Sequence, residues 1–356
     1  MNKQLTNTLK FLVFVGVGFG ILYLMYQSQQ TAYLEQCRLD GTPLDQCSLL
    51  NKVATDFRGA SPFWLFVTAA AFCVSNLSRA LRWNMMLRTF GNRPKLINAF
   101  FTINLGYFAN LGFPRLGEIV RPATMARYEG IALERVVGTV VVERIIDVVF
   151  ILIATALALF LGREVILDWL LETADLSKFA SLRWLALVGG TLTLLFFALA
   201  WHQRHRILKS SIGQKVLGIL QGFWEGIQTA MNVESPVLFV FHSVNVWVMY
   251  FVMTLTTFKA FAPTSDLSPV VALVTFVSGG WGIVIPSPGG MGTYHFLTGE
   301  ALQLYGVSAL NAFSWSNISF FTINIGCNVL IGLLALLLLP PLNRNYVPVK
   351  PEGAQV

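Results

Sequence analysis

NLGYFANLGFPRLGEIVRPATMARYEGIALERVVGTVVVERIID, running from Asn104 to Asp147, is the stretch on which the reading of this chain turns. It runs apolar into Gly112-Phe113-Pro114, then sets Arg115, Glu118 and Arg121 at three-residue intervals. After a short polar segment a new apolar run opens with Glu143, Arg144 and Asp147 near its start. Charges at membrane depth are expensive. They pair or face water, and by default they mark a functional path.

Composition says that a membrane is the setting. Of 356 residues, 55% are hydrophobic and only 12% are charged, and the mean hydropathy is +0.62. Soluble domains carry about 25% charged residues. Several apolar runs approach the roughly twenty residues that a helix needs to cross a bilayer. The class is therefore an all-α polytopic membrane protein, and a β-barrel is excluded by the length of the runs. The net charge of +7 would suggest nucleic acid in a soluble protein. Here it reads as cytoplasmic loops facing anionic lipid heads, with no nucleic-acid partner.

Outward from the central stretch, the chain divides into spans and loops. Lys3 and Lys10 precede a first span, Phe11 to Tyr26, in which Gly16 and Gly20 form a close-packing pair. Residues 27–61 form a polar loop of balanced charge, suited to the outer side, where a disulfide between Cys37 and Cys47 is permitted. Cys73 and Cys327 lie in apolar runs, and no spacing suggests a metal site. A second span covers Phe63 to Trp83. Arg79, Arg82, Arg88, Arg93 and Lys95 follow without an acid, which places that end in the cytoplasm. Residues 96–121 are short and broken at Gly112-Phe113-Pro114. They read as a re-entrant segment, because the arginines beyond them prefer the inside; a full span with an external loop is the alternative.

Arg115, Glu118 and Arg121 share a broad helical face, on which Glu118 pairs with either arginine. Such an arginine can chelate a phosphate through two parallel hydrogen bonds. An ordinary solvated cluster is the competing reading. In the span Thr139 to Leu161, Arg144 reaches Asp147 at i+3, and Glu143 shares its face with Asp147. Snorkelling to the interface competes with an inward-facing network.

The second half repeats the style of the first. An external loop, 162–181, leads to a span at Leu182 to Trp201, a basic segment, and an amphipathic surface helix at about 214–232. Pro236 to Ala262 crosses again. Residues 269–306 then contain VSGGWGIVIPSPGGMGTYHF, rich in Gly and Pro at apolar depth, with a helix expected to start near Gly292 and to turn its positive end towards an anion. A last span, Ala309 to Leu339, precedes the short cytoplasmic tail at 343–356. The expectation is about six full spans plus two opposed re-entrant segments, in the manner of an inverted repeat.

PRLGEIVRP, VVVERIID and IPSPGGMGTYHF, in that order, resemble the three signature stretches of the lysylphosphatidylglycerol synthase transmembrane region, the flippase-like domain family. The resemblance spans nearly the whole chain and implies one flippase-like transmembrane domain, 1–342, without the soluble aminoacyl-transferring domain. It implies an integral membrane protein of the cytoplasmic (inner) membrane that binds or moves phosphate-bearing lipids. By the motifs, Arg115 and Arg121, joined by Arg144, hold the lipid phosphate. Glu118, Glu143 and Asp147 form the charge network. Pro114, Gly117, Pro288, Gly289, Gly290 and Gly292 supply backbone donors and hinges. His295 stands where the family motif usually has a glutamate, and it becomes the candidate for coupling.

The expected function is a lipid flippase or lipid-binding transporter, not an enzyme, with no cofactor and with both termini in the cytoplasm. An intramembrane enzyme on lipid head groups is one alternative, with Glu118 and Asp147 as acid and base. A non-transporting accessory subunit of a cell-envelope glycosyltransferase is the other.

Overall fold

Ser-Pro steps start three of the helices, since proline's fixed φ and missing N–H suit the first helical position. They are Ser61-Pro62, Ser235-Pro236 and Ser268-Pro269. The structure is a computed structural model that describes residues 47–112, 115–166, 232–285 and 290–346, with positions 23, 26, 27, 30, 31, 34, 37 and 38. Among the described residues it contains helices and no strand.

A surface helix, α1 (Leu49–Gly59), is capped by Ser48, whose hydroxyl accepts from the Asn51 amide. Two groups of elements follow in the same order. The first is a long helix α2 (Pro62–Arg88), two short helices α3 (Leu96–Gly112) and α4 (Gly117–Glu129), and a long helix α5 (Leu133–Leu161). The second is α6 (Pro236–Ala260), the short α7 (Pro269–Val284) and α8 (Thr293–Leu304), and a final span built from α9 (Ala309–Phe320), a π-helical turn Phe321–Cys327 and α10 (Asn328–Leu342). Four helices are long and apolar enough to cross a bilayer: α2, α5, α6 and the run Ala309–Leu342. These are four of the expected spans. The expected spans at Phe11 to Tyr26 and Leu182 to Trp201, and the amphipathic helix at 214–232, lie outside the described residues. With 17 residues, α3 is about 25 Å long, short of the roughly 30 Å hydrocarbon core.

The two groups are arranged head to tail about their first helices. Along α2 and α6, Thr68 meets Thr256 (2.7 Å), Ser75 meets the Val246 carbonyl (3.4 Å), and Arg82 meets Ser243 (3.3 Å). Partner numbers fall as α2 numbers rise, so the helices run antiparallel. Each group's last span then packs on the other group's first short helix. Trp281 of α7 donates to Thr155 of α5 (3.1 Å). Gly332 of α10 lies against the Phe108 ring of α3, and Asn343 bonds Asn98. An antiparallel pairing of like elements is the relation an inverted repeat requires.

Each pair of short helices closes over glycine. A Cβ on Gly117 would stand 2.1 Å from the Gly106 carbonyl oxygen, so α3 and α4 touch backbone to backbone there. The Gly117 amide donates to Asn110 Oδ1 (2.7 Å). In the second pair a Cβ on Gly282 would stand 2.7 Å from Tyr294 Cα, and Thr293 donates to the Gly282 carbonyl. As expected from sequence, α8 opens directly after Gly292, which has φ 83°. The first pair reaches Glu129, beyond the expected limit at 121. It stops there because Gly130 adopts the left-handed conformation that ends a helix (φ 62°).

Buried apolar clusters knit the long helices together, one around Trp83, Met86 and Ile103 and another around Phe258 and Trp315. Conversely, Val148, Val149, Leu152, Ile153 and Phe160 of α5 point outward, the apolar surface that lipid covers. Cys37 and Cys47 form a disulfide.

Candidate functional site: a buried arginine cluster

Where α2, α4, α5 and α6 meet, three arginines converge on two carboxylates. Arg79 donates through Nη1 to Asp147 (3.0 Å) and Glu143 (3.4 Å). Arg82 donates through Nη2 to Glu143 (3.1 Å) and Asp147 (3.4 Å). Arg121 forms an ion pair with Glu143 from the opposite side. The side chains of Arg82 and Glu143 are 0% and 1% exposed, so this is a buried network and not a solvated cluster.

The elements fix each member. Glu143 and Asp147 lie one turn apart on α5 and face α2. Arg79 and Arg82 lie three residues apart on α2 and so point the same way. The second half of the molecule holds these two arginines through hydroxyls of α6: Tyr250 accepts from Arg79 (3.0 Å), and Ser243 accepts from Arg82 (3.3 Å). Arg121 comes from α4, just beyond the Gly106–Gly117 crossing. Its guanidinium lies 3.9 Å from the centre of the Trp83 ring, a cation–π contact that helps to hold the group in place. Trp83 is itself fixed by its indole N–H, which donates to Thr139 (2.8 Å).

Three cations face two anions, leaving one formal positive charge in a buried site. The Nε–H groups of Arg79, Arg82 and Arg121 are buried without a hydrogen-bond partner. Buried donors nearly always have acceptors, and a buried unpaired charge is costly.

At the rim, Arg144 is 47% exposed and faces Glu118 (3.9 Å) and Asp147 (4.0 Å). Glu118 therefore pairs with Arg144, and not with Arg115 or Arg121 as the spacing suggested. The reason is that Arg121 turns inward at the glycine crossing while Glu118 stays on the outer side of α4. Arg115 is exposed, makes no ion pair among the described residues, and sits at φ 65°, a left-handed conformation uncommon for a residue with a side chain.

Of the residues named from sequence, Arg121 and Glu143 meet directly, Asp147 joins them through Arg79 and Arg82, Glu118 and Arg144 join at the edge, and Gly117 makes the crossing that positions Arg121. Gly290 and Gly292 adopt positive φ at the second turn. Pro114, Pro288 and Gly289 lie outside the described residues. His295 is buried against Phe320, with ring centres 4.7 Å apart, and does not touch the arginine cluster. No group of residues suited to a metal ion occurs among the described residues.

Arg79 and Arg82 need a correction. Sequence reading assigned them to the basic cytoplasmic flank, yet they are 3% and 0% exposed within α2. The signal was present in Asn76, Arg79 and Arg82, set at the same three-residue interval as Arg115, Glu118 and Arg121.

Over residues 48–343 the sequence matches one family, described as the lysylphosphatidylglycerol synthase TM region. The chain belongs to that family. No curated protein and no solved structure matches it. Membership in the lysylphosphatidylglycerol synthase TM region family makes this a membrane domain with a lipid-related role, and the arginine cluster lies wholly within the matched residues.

Proposed function

We propose that the buried arginine cluster binds the phosphate of a membrane lipid and that the protein carries that lipid between leaflets. One observation carries the reading: three buried guanidiniums against two carboxylates, with three Nε–H groups left over. A phosphate would accept those hydrogen bonds and cancel the excess charge, as arginine–phosphate pairs do. Arg115, at the exposed turn between α3 and α4, would meet the head group before Arg121 does.

The architecture supports a transport role. The short pairs α3–α4 and α7–α8 are read as re-entrant, entering from opposite sides, with the site beside the first of them. Since α6 holds Arg79 and Arg82 through Tyr250 and Ser243, a change in the cluster reaches both halves. The basic end of the molecule is taken as cytoplasmic. There Lys95 contacts Tyr346 of the tail, and Arg135 lies over Phe90. The opposite end carries the Cys37–Cys47 disulfide, which suits an oxidising exterior.

The test is leaflet exchange of a labelled anionic phospholipid in reconstituted vesicles. Arg82→Gln combined with Arg121→Gln is expected to bring the rate down to that of protein-free vesicles. An unchanged rate in a folded double variant refutes the assignment.

A further inference from the structure

At the start of α3, away from the arginine cluster, exposed positive charge and an apolar groove occur together. The groove has a volume of about 490 Å³ and is lined by Cys73, Val74 and Leu77 of α2 and by Leu96, Ile97 and Phe100 of α3. Val74, Leu77, Leu96 and Ile97 are exposed, so the groove opens on the outer surface of two membrane helices. Leu77 and Arg79 stand two residues apart on α2 and hence on opposite faces. The groove is thus separate from the buried network.

Its upper end begins where Arg93 and Lys95 lead into α3. The tail after α10 is tied to the same spot. Asn343 and Asn98 exchange two amide hydrogen bonds of 2.8 Å. Tyr346 donates its hydroxyl to Glu129 (2.8 Å), and Lys95 Nζ lies 3.5 Å from the centre of the Tyr346 ring. Arg344 lies between Asn343 and Tyr346, on the segment that these contacts hold against the start of α3. Arg93, Lys95 and Arg344 are all exposed. The acid among them, Glu129, is 3% exposed, and its oxygens are taken by the Lys95 amide (3.0 Å), Asn98 Nδ2 (2.6 Å) and Tyr346. It cannot serve as a counter-ion for all three cations.

We propose that this end of α3 is a second lipid site, specific for an anionic glycerophospholipid. Arg93, Lys95 and Arg344 hold the head-group phosphate, and one acyl chain lies in the groove between α2 and α3. Charge complementarity selects the head, and the apolar lining directly beneath it selects a tethered chain over a free anion. The tail is then a structural part of the site, since Tyr346 and Asn343 place Arg344 there. The site does not depend on transport.

The experiment is native mass spectrometry of the purified full chain with added phosphatidylglycerol or phosphatidylcholine, with inorganic phosphate as competitor. Two surface variants probe the two parts: Ile97→Trp fills the groove without changing charge, and Arg93→Gln with Lys95→Gln and Arg344→Gln removes the cations. Each variant is expected to hold one phosphatidylglycerol fewer per chain at saturation. Each cation lost is expected to cost about fivefold in preference over phosphatidylcholine, the weight of one basic residue beside an anionic head group. Equal lipid counts in wild type and either variant overturn the proposal. So does displacement of the bound lipid by inorganic phosphate at matched concentration.

Discussion

Glu143→Gln is the sharpest test of the buried network. The carboxylate is 1% exposed and faces Arg79, Arg82 and Arg121 at once. At the 3.1 Å separation from Arg82, one such pair has a Coulomb energy of about 5 kcal/mol at an effective dielectric near 20. Desolvation of both partners offsets much of this, and breaking a buried pair by removing one partner costs about 3–5 kcal/mol. Glutamine keeps the shape and loses the charge, so three arginines would face Asp147 alone. The expected loss of stability is about 3 kcal/mol, read from unfolding in mixed detergent micelles. Adding Arg121→Gln restores the original charge balance and should return at least about 1 kcal/mol, since residues in one network couple by roughly 0.5–3 kcal/mol. A Glu143→Gln protein within about 0.5 kcal/mol of wild type, or a double variant that is simply additive, would refute the buried-cluster reasoning.

Other expectations follow from the same geometry. Tyr250→Phe removes the hydroxyl that accepts from Arg79 and should cost about 1 kcal/mol in the same assay, within the range for hydrogen bonds between membrane helices. Gly117→Ala drives a methyl into the Gly106 carbonyl and should destabilise by about 1–3 kcal/mol. Gly138→Ala, in open space on α5, should stabilise by roughly 0.5–1 kcal/mol. Alkylation followed by mass analysis should modify Cys37 and Cys47 only after reduction, because they are bonded; their modification in unreduced protein would contradict the pairing.

Long apolar runs made the described spans legible, because a span is a property of about twenty consecutive residues. Glu143 and Asp147 were legible for the same reason, as charges that interrupt such a run. Arg79 and Arg82 were not. They sit at the end of a hydrophobic window, where a buried helix end and a basic flank look alike in sequence. What distinguishes them is a partner on α5, more than sixty residues away. Arg115 differs in the opposite direction: its spacing matches Arg121, but it is exposed in a left-handed turn while Arg121 is buried. Glu118 changed partner because the α4–α5 contact, rather than spacing within α4, decides what it meets. The antiparallel pairing of α2 with α6 was not read from sequence, which offered only two opposed broken segments. Its register depends on hydroxyl and amide pairs that no local pattern reveals.

The π-helical turn at Phe321–Cys327 means that the last span carries one amino acid more than a regular helix of the same rise would hold. The wider turn absorbs that extra residue, so its two ends keep the phase of a regular helix. Upstream, Ser319 must meet Tyr294; downstream, Gly332 must meet Phe108. Deleting one residue between 321 and 327 leaves the number a regular helix needs, so the turn is expected to become α-helical with both contacts kept. A one-residue deletion between 328 and 331, in the regular part of the span, would instead turn one end by about 100° against the other and bring Leu333 in place of the glycine against Phe108. The second deletion should therefore be far more damaging than the first.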